Sequence, residues 1–162
     1  MNGPAWCRRA VLTDPADAAA YRQLLDAYAA DPMGQGSPLA APVLDRVVSD
    51  LAAHPTAWIY LAGYDAHPRG FATCFLGYST FRARPLLNIH DIAVHPAARG
   101  RGLARCLLRH IATEAGAYGC CKLTLEVRED NPLAADLYRS EGFGAARGQG
   151  EPVQYLFLEK NL

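Results

Sequence analysis

The sequence predicts an α/β or α+β sandwich built on a mixed sheet. Strand-like and helix-like segments follow one another in the order β-α-α-β-β-β-α-β-α-β-β, with strands on either side of helices. The chain has 162 residues, the size of one compact domain, so residues 1–162 are expected to fold as a single unit. Hydrophobic residues make up 51% and charged residues 20%, a globular composition rather than a disordered one.

Each element has a local reason. Trp6 to Leu12 reads as a first strand. Thr13-Asp14-Pro15 places a polar cap before a proline, and a helix is expected through Tyr28. Asp31 to Pro38 holds Pro, Gly and Ser and is expected to be a loop. Val43, Leu44, Val47, Val48 and Leu51 recur at helical spacing, predicting a helix over Pro42 to Ala53. Ala57 to Tyr64 and Phe71 to Tyr78 read as a hairpin around an Asp65–Gly70 turn. Leu86 to Val94 is a long strand closed by His95-Pro96. From Arg101, Leu103, Leu107 and Ile111 form one helical stripe, flanked by Ala104, Leu108 and Ala115. Lys122 to Val127 alternates as a strand. Asn131-Pro132 opens a short helix to about Ser140, and last strands are expected at Phe143–Ala146 and Val153–Glu159.

Composition excludes several functions. Lys plus Arg and Asp plus Glu are 16 each, and this neutrality argues against a nucleic-acid partner. No apolar run approaches the roughly 18 residues of a membrane span, and Met1–Ala10 lacks the apolar stretch of a secretory leader. A cytoplasmic location and no membrane partner are expected. The five cysteines form no C-x-x-C pair, so a zinc site is not expected and reduced thiols are.

The sharpest feature is the junction Val94-His95-Pro96-Ala97-Ala98-Arg99-Gly100-Arg101-Gly102-Leu103-Ala104, where a strand ends and a helix opens. Backbone N–H groups at a helix N-terminus lack partners, and the helix dipole adds positive potential. Glycines let backbone approach a phosphate closely. Arg99, Arg101, Arg105 and Arg109 add charge, so the junction reads as an anion cradle, most simply for a diphosphate. The plainer alternative is a glycine-containing loop before a solvated, arginine-rich helix face.

Arg99-Gly100-Arg101-Gly102-Leu103-Ala104 resembles the Arg/Gln-x-x-Gly-x-Gly/Ala motif of the GNAT superfamily of acetyl-CoA-dependent N-acetyltransferases. Leu87–Val94 is similar to the family's fourth strand. Glu126 to Asn131, followed by Leu137 to Phe143, resembles its second cofactor motif. The resemblance covers about Phe71 to Phe143. It implies a mixed, mostly antiparallel sheet of six to seven strands with helices on both faces. It also implies acetyl-CoA as co-substrate, no metal, and homodimerisation as an open question.

By that resemblance, Ile92, Ala93 and Val94 would pair with the pantetheine arm, and the amides from Arg99 through Gly100, Arg101, Gly102 and Leu103 to Ala104 would hold the diphosphate. Asn131 would contact the arm or nearby backbone. Tyr138 matches the family tyrosine near the thioester sulfur. A phenol there can protonate the departing thiolate, whose thiol has a pKa of about 8.5 by analogy with cysteine. The Val94 N–H can support the oxyanion formed by amine attack. His90 is the candidate base, since imidazole changes charge nearest neutral pH; a core histidine bonded to a carbonyl is the alternative. Regular alternation puts Asn88, His90, Ile92 and Val94 on one face and Ile89, Asp91 and Ala93 on the other. A bulge would turn Asp91 into the cleft instead. Asp91, Glu126 and Tyr78 are candidates to bind a cationic acceptor. Each has a structural alternative: Glu126 with Arg128, Asp91 with an arginine such as Arg82, Tyr78 in packing.

Tyr78-Ser79-Thr80-Phe81 with Ile89-His90-Asp91 resembles family members that acetylate diamines and polyamines, where a glutamate stands in the place of His90. The expectation is thus acetyl transfer to a primary amine of a small polyamine- or amino-acid-like molecule. A protein or peptide N-terminus, or acyl-CoA sensing without catalysis, are the alternatives. The 31–38 segment is either a plain connector or a lid.

Overall fold

The computed structural model describes residues 3–144 and 158–161. The chain divides into two compact units, Met1–Arg128 and Glu129–Leu162.

The first unit holds five strands and three helices in the order β1 (Ala5–Arg9), α1 (Pro15–Ala30), α2 (Ala41–Ala53), β2 (Ala57–Tyr64), β3 (His67–Ser79), β4 (Arg84–Val94), α3 (Leu103–Tyr118) and β5 (Leu123–Leu125). The strands form one sheet in the order β1-β2-β3-β4-β5. Neighbours are antiparallel except β4 and β5, which run parallel and are joined through α3. The mixed, mostly antiparallel sheet matches expectation with five strands among the described residues. Of the expected last strands, residues 145–157 lie outside the described residues, while Phe143, Gly144, Leu158 and Glu159 carry no strand.

Helices cover both faces. Asp14 caps α1 through bonds from the Ala16 and Asp17 N–H groups at 2.9 and 3.0 Å. Tyr21 and Leu24 of α1 pack with Leu12, Ile59, Leu61 and Phe71, and α2 adds Val48 and Leu51. On the other face α3 buries the predicted stripe Leu103, Leu107, Ile111 with Leu108. Each such side chain contributes about 2 kcal/mol of burial. Tyr60 crosses to α3, donating to Glu114 Oε2 at 2.9 Å, and Trp58 meets Tyr118 edge-on at 5.0 Å.

The structure corrects several boundaries. The hairpin turn is Asp65-Ala66 rather than Asp65–Gly70. Asp65 takes φ 53°, a conformation aspartate tolerates, and its carbonyl accepts the Trp6 indole N–H at 2.6 Å. Strand β3 therefore starts at His67 and absorbs Pro68 at its beginning, beside an irregularity at Ala62/Gly63. Helix α3 starts at Leu103, not Arg101, because Gly102 sits at φ 86° in the left-handed region. Strand β5 is shorter than the predicted Lys122–Val127.

The correction with most bearing on chemistry is in β4. Thr73 pairs with Asp91, but Cys74 pairs with Ile89, so His90 is an extra residue in a bulge. Simple alternation along Asn88–Val94 does not hold. Asp91 and Ala93 share the α1 face with their partners Thr73 and Phe71, while Ile92 and Val94 fall on the α3 face with Ala72 and Gly70.

The second unit holds α4 (Pro132–Ser140). The Asn131 side chain caps it, with Oδ1 accepting the Ala134 N–H at 3.2 Å.

Candidate active site

The site begins where β4 and β5 part. Parallel pairing lasts only from Leu87 to Ile89 against Leu123 to Leu125, and β4 continues to Val94. The His95 N–H turns to β3, bonding the Arg69 carbonyl at 2.7 Å. By alternation the N–H and C=O of Val94 and of Ile92 turn the other way, toward the side β5 has left. That edge meets no strand among the described residues, and it is suited to an extended amide-bearing ligand.

A 3-10 turn at Pro96–Ala98 then leads into the glycines. Gly100 has φ 72° and Gly102 φ 86°, and an added Cβ at either would meet no atom within 4 Å. The backbone there faces open space. No side chain caps α3, whose first helical bond runs from the Cys106 N–H to the Gly102 carbonyl at 2.9 Å. The amides of residues 102–105 thus form an N-terminal donor group of the kind that binds phosphate oxygens. The donor set fits a diphosphate.

Arg99 is engaged within the junction. Its Nε donates to the Val94 carbonyl at 3.0 Å and its Nη2 to Asp31 Oδ2 at 2.6 Å. Asp31 also accepts the Met33 N–H at 2.9 Å. That bond first, and Arg99 next, hold the Asp31 carboxyl below the usual carboxylate range. The 31–38 loop is in this way tied to the end of β4. Beside it lies a solvent-open pocket of about 210 Å³, lined by Leu24, Tyr28, Phe71, Ala93, Val94 and Arg99 among others.

The bulge brings His90 and Asp91 together next to α1. His90 is exposed and stands edge-on to Phe75 at 5.5 Å, so the core-histidine alternative does not describe it. Asp91 is half-buried. Burial pushes its carboxyl above the ordinary value, while His90 and a hydrogen bond from Thr73 pull the other way. Thr73 Oγ1 lies 2.8 Å from the Tyr21 hydroxyl, so a buried polar chain runs from α1 to the carboxylate. Burial, with Asp91 and Asp31 adding to it, raises Tyr28. Thr73, Tyr21 and Tyr28 were not singled out by the sequence. The clue available was that Tyr21, Leu24 and Tyr28 fall on one helical stripe.

Of the other expected residues in the first unit, Tyr78 stands apart. Tyr78 is 62% exposed and lies five residues along β3 from Thr73, about 16 Å at strand rise. Glu126 is exposed, just past β5, and Asp91 is partnered by Thr73 rather than Arg82, whose Nη1 reaches the Cys121 carbonyl. Asn131 and Tyr138 belong to the second unit. Tyr138 is half-buried on α4, its ring 6.0 Å from that of Phe143. All five cysteines are unpaired, and burial pushes Cys7 up to about 12 and Cys74 higher still, which leaves no activated thiol there. No group of three metal-ligating side chains occurs among the described residues, and no helix there is long and apolar enough to cross a membrane.

Comparison with known proteins places this geometry. The model of the Acetyltransferase (GNAT) family matches residues 21–143. Streptothricin acetyltransferase of Streptomyces lavendulae is 42% identical over 81 residues, 50% of this chain and 41% of that protein. Thialysine N-epsilon-acetyltransferase of Bos taurus is 31% identical over 96 residues, 54% of this chain and 56% of that protein. The chain thus spans about half the length of the curated relatives it matches. The crystal structure of a candidate acetyltransferase from Arthrobacter sp. FB24 superposes with a TM-score of 0.77 at 26% identity, covering 95% of each chain.

Proposed function

Since the chain belongs to the acetyltransferase (GNAT) family, we propose that it moves an acetyl group from acetyl-CoA to a primary amine of a small cationic acceptor. The observation that carries this reading is the edge of β4, which outruns β5 and ends in an uncapped, glycine-turned helix N-terminus. Bound acetyl-CoA supplies a thioester whose carbonyl carbon the amine attacks and whose sulfur departs. Ile92 and Val94 align the pantetheine arm, the amides from Gly100 to Ala104 hold the diphosphate, the Arg99 N–H being already bonded to the Pro96 carbonyl at 3.3 Å, and the Val94 N–H supports the carbonyl oxygen as it gains charge. His90, exposed at the bulge, takes the proton the amine must lose. Tyr138 returns a proton to the sulfur.

Asp91 supports a cationic acceptor. A half-buried carboxylate next to the exposed His90 gives a second ammonium a partner. The relatives named for streptothricin and for the ε-nitrogen of thialysine favour a small amine over a protein N-terminus.

The test is thiol release. Acetyl-CoA and a panel of diamines, amino acids and aminoglycosides should yield free CoA in proportion to acetylated amine. Coenzyme binding without any thiol release would leave a sensor as the reading. Asp91→Asn should raise the acceptor KM about tenfold. The same change should stabilise the fold at neutral pH. A folded-state carboxyl pushed above its unfolded value contributes stability that is lost as pH rises through the raised value. Thermal melts at pH 7 and at pH 4 check this: the gain is expected at pH 7 and should fade at pH 4. An unchanged acceptor KM removes Asp91 from the site.

A further inference from the structure

We propose that Tyr64 is a positioning residue of the coenzyme cradle, one that orients the Arg101–Gly102 peptide so that the Gly102 N–H faces the diphosphate. This rests on the acetyl-CoA reading of the junction. Tyr64 ends β2 and is 5% exposed. Its hydroxyl donates to the Arg101 carbonyl oxygen at 2.6 Å, and its ring lies 4.1 Å from the guanidinium carbon of the same residue. One buried side chain thus grips the loop from its inner side by two different contacts.

The orientation follows from peptide geometry. Every described peptide bond is trans, so the C=O of residue 101 and the N–H of residue 102 point in opposite directions. A carbonyl held inward by Tyr64 turns the next N–H outward. The glycines make such an anchor necessary. With φ 86° at Gly102 and 72° at Gly100, this peptide is free to rotate and present its carbonyl, which would repel an anion. No side chain caps α3, so the donor group depends on backbone orientation.

The test uses Tyr64→Phe, which keeps the ring and its contact with Arg101 and loses only the hydroxyl. In calorimetry with CoA, the variant should bind about tenfold more weakly than wild type, the effect of one charge-assisted hydrogen bond. In turnover, kcat/KM should fall about tenfold with acetyl-CoA as donor and stay within twofold with S-acetylpantetheine, which lacks the diphosphate. The kcat at saturating acetyl-CoA should hold within twofold. A variant that binds CoA as tightly as wild type overturns the proposal alone, and so does an equal loss with both donors. A wild-type chain that ignores CoA overturns the acetyl-CoA reading and this proposal with it.

Discussion

Replacing Tyr138 with Phe lowers kcat about 100-fold while the Kd for CoA stays within a factor of two. The substitution removes the phenolic oxygen and keeps the ring. Helix α4 ends around this residue through its backbone: the Tyr138 carbonyl accepts the Glu141 and Phe143 N–H groups at 3.1 and 3.0 Å. The ring packs near Phe143, and phenylalanine retains that contact. A loss of turnover therefore reports the hydroxyl. It reports proton delivery to the departing sulfur if burst kinetics show the acetyl-transfer step itself slowed. Wild-type turnover in the variant ends the acid assignment. His90→Ala gives the complementary signature, slowing the reaction most at low pH, where amines hold their protons hardest. A pH–rate profile of unchanged shape would reject His90 as the base.

Much of the scaffold was written in local signals. Leu103, Leu107 and Ile111 announced the buried face of α3, and Asp14-Pro15 announced the start of α1. The glycine-turned junction was legible because glycine, charge and a strand-to-helix switch coincide within eleven residues. The bulge was not. Leu86, Leu87, Ile89, Ile92, Ala93 and Val94 make β4 apolar on both faces, so a one-residue slip of phase leaves no mark in the hydrophobic pattern. Its position decides that Asp91, rather than Val94, shares a face with Thr73. Tyr64 was hidden for another reason. It reads as one more strand aromatic, and its partner lies 37 residues away, a tertiary contact that no local period encodes.

Asp17→Asn costs about 2 kcal/mol of stability at pH 7, and the cost shrinks at pH 3. Asp17 sits in the first turn of α1 with its side chain 8% exposed. Its oxygens accept the Arg8 guanidinium, one bond measuring 2.7 Å, and the Val11 N–H at 2.8 Å. One carboxylate thereby ties β1 to the helix that follows it. The figure is kept modest because Arg8 is 49% exposed and water screens the pair. Arg8 first, then the Val11 bond, hold the Asp17 carboxyl below its ordinary range despite burial. The folded value lies below the unfolded one. The stabilisation is therefore full above the unfolded pKa of about 3.9 and is lost as pH falls through the folded value. Urea titrations of both proteins at pH 7 and pH 3 measure the gap. A gap of equal size at both pH values would show that packing, not charge, sets it.

The single supernumerary residue at position 90 divides one strand into two reading frames. Upstream, Leu87 and Ile89 answer to the hydrophobic interior. Downstream, under the proposed function, Ile92 and Val94 answer to the coenzyme. Because the phase is reset between them, deleting one residue there would throw one half of the strand inside out. Under the proposed function, the choice of amine would rest on the backbone before it rests on any side chain.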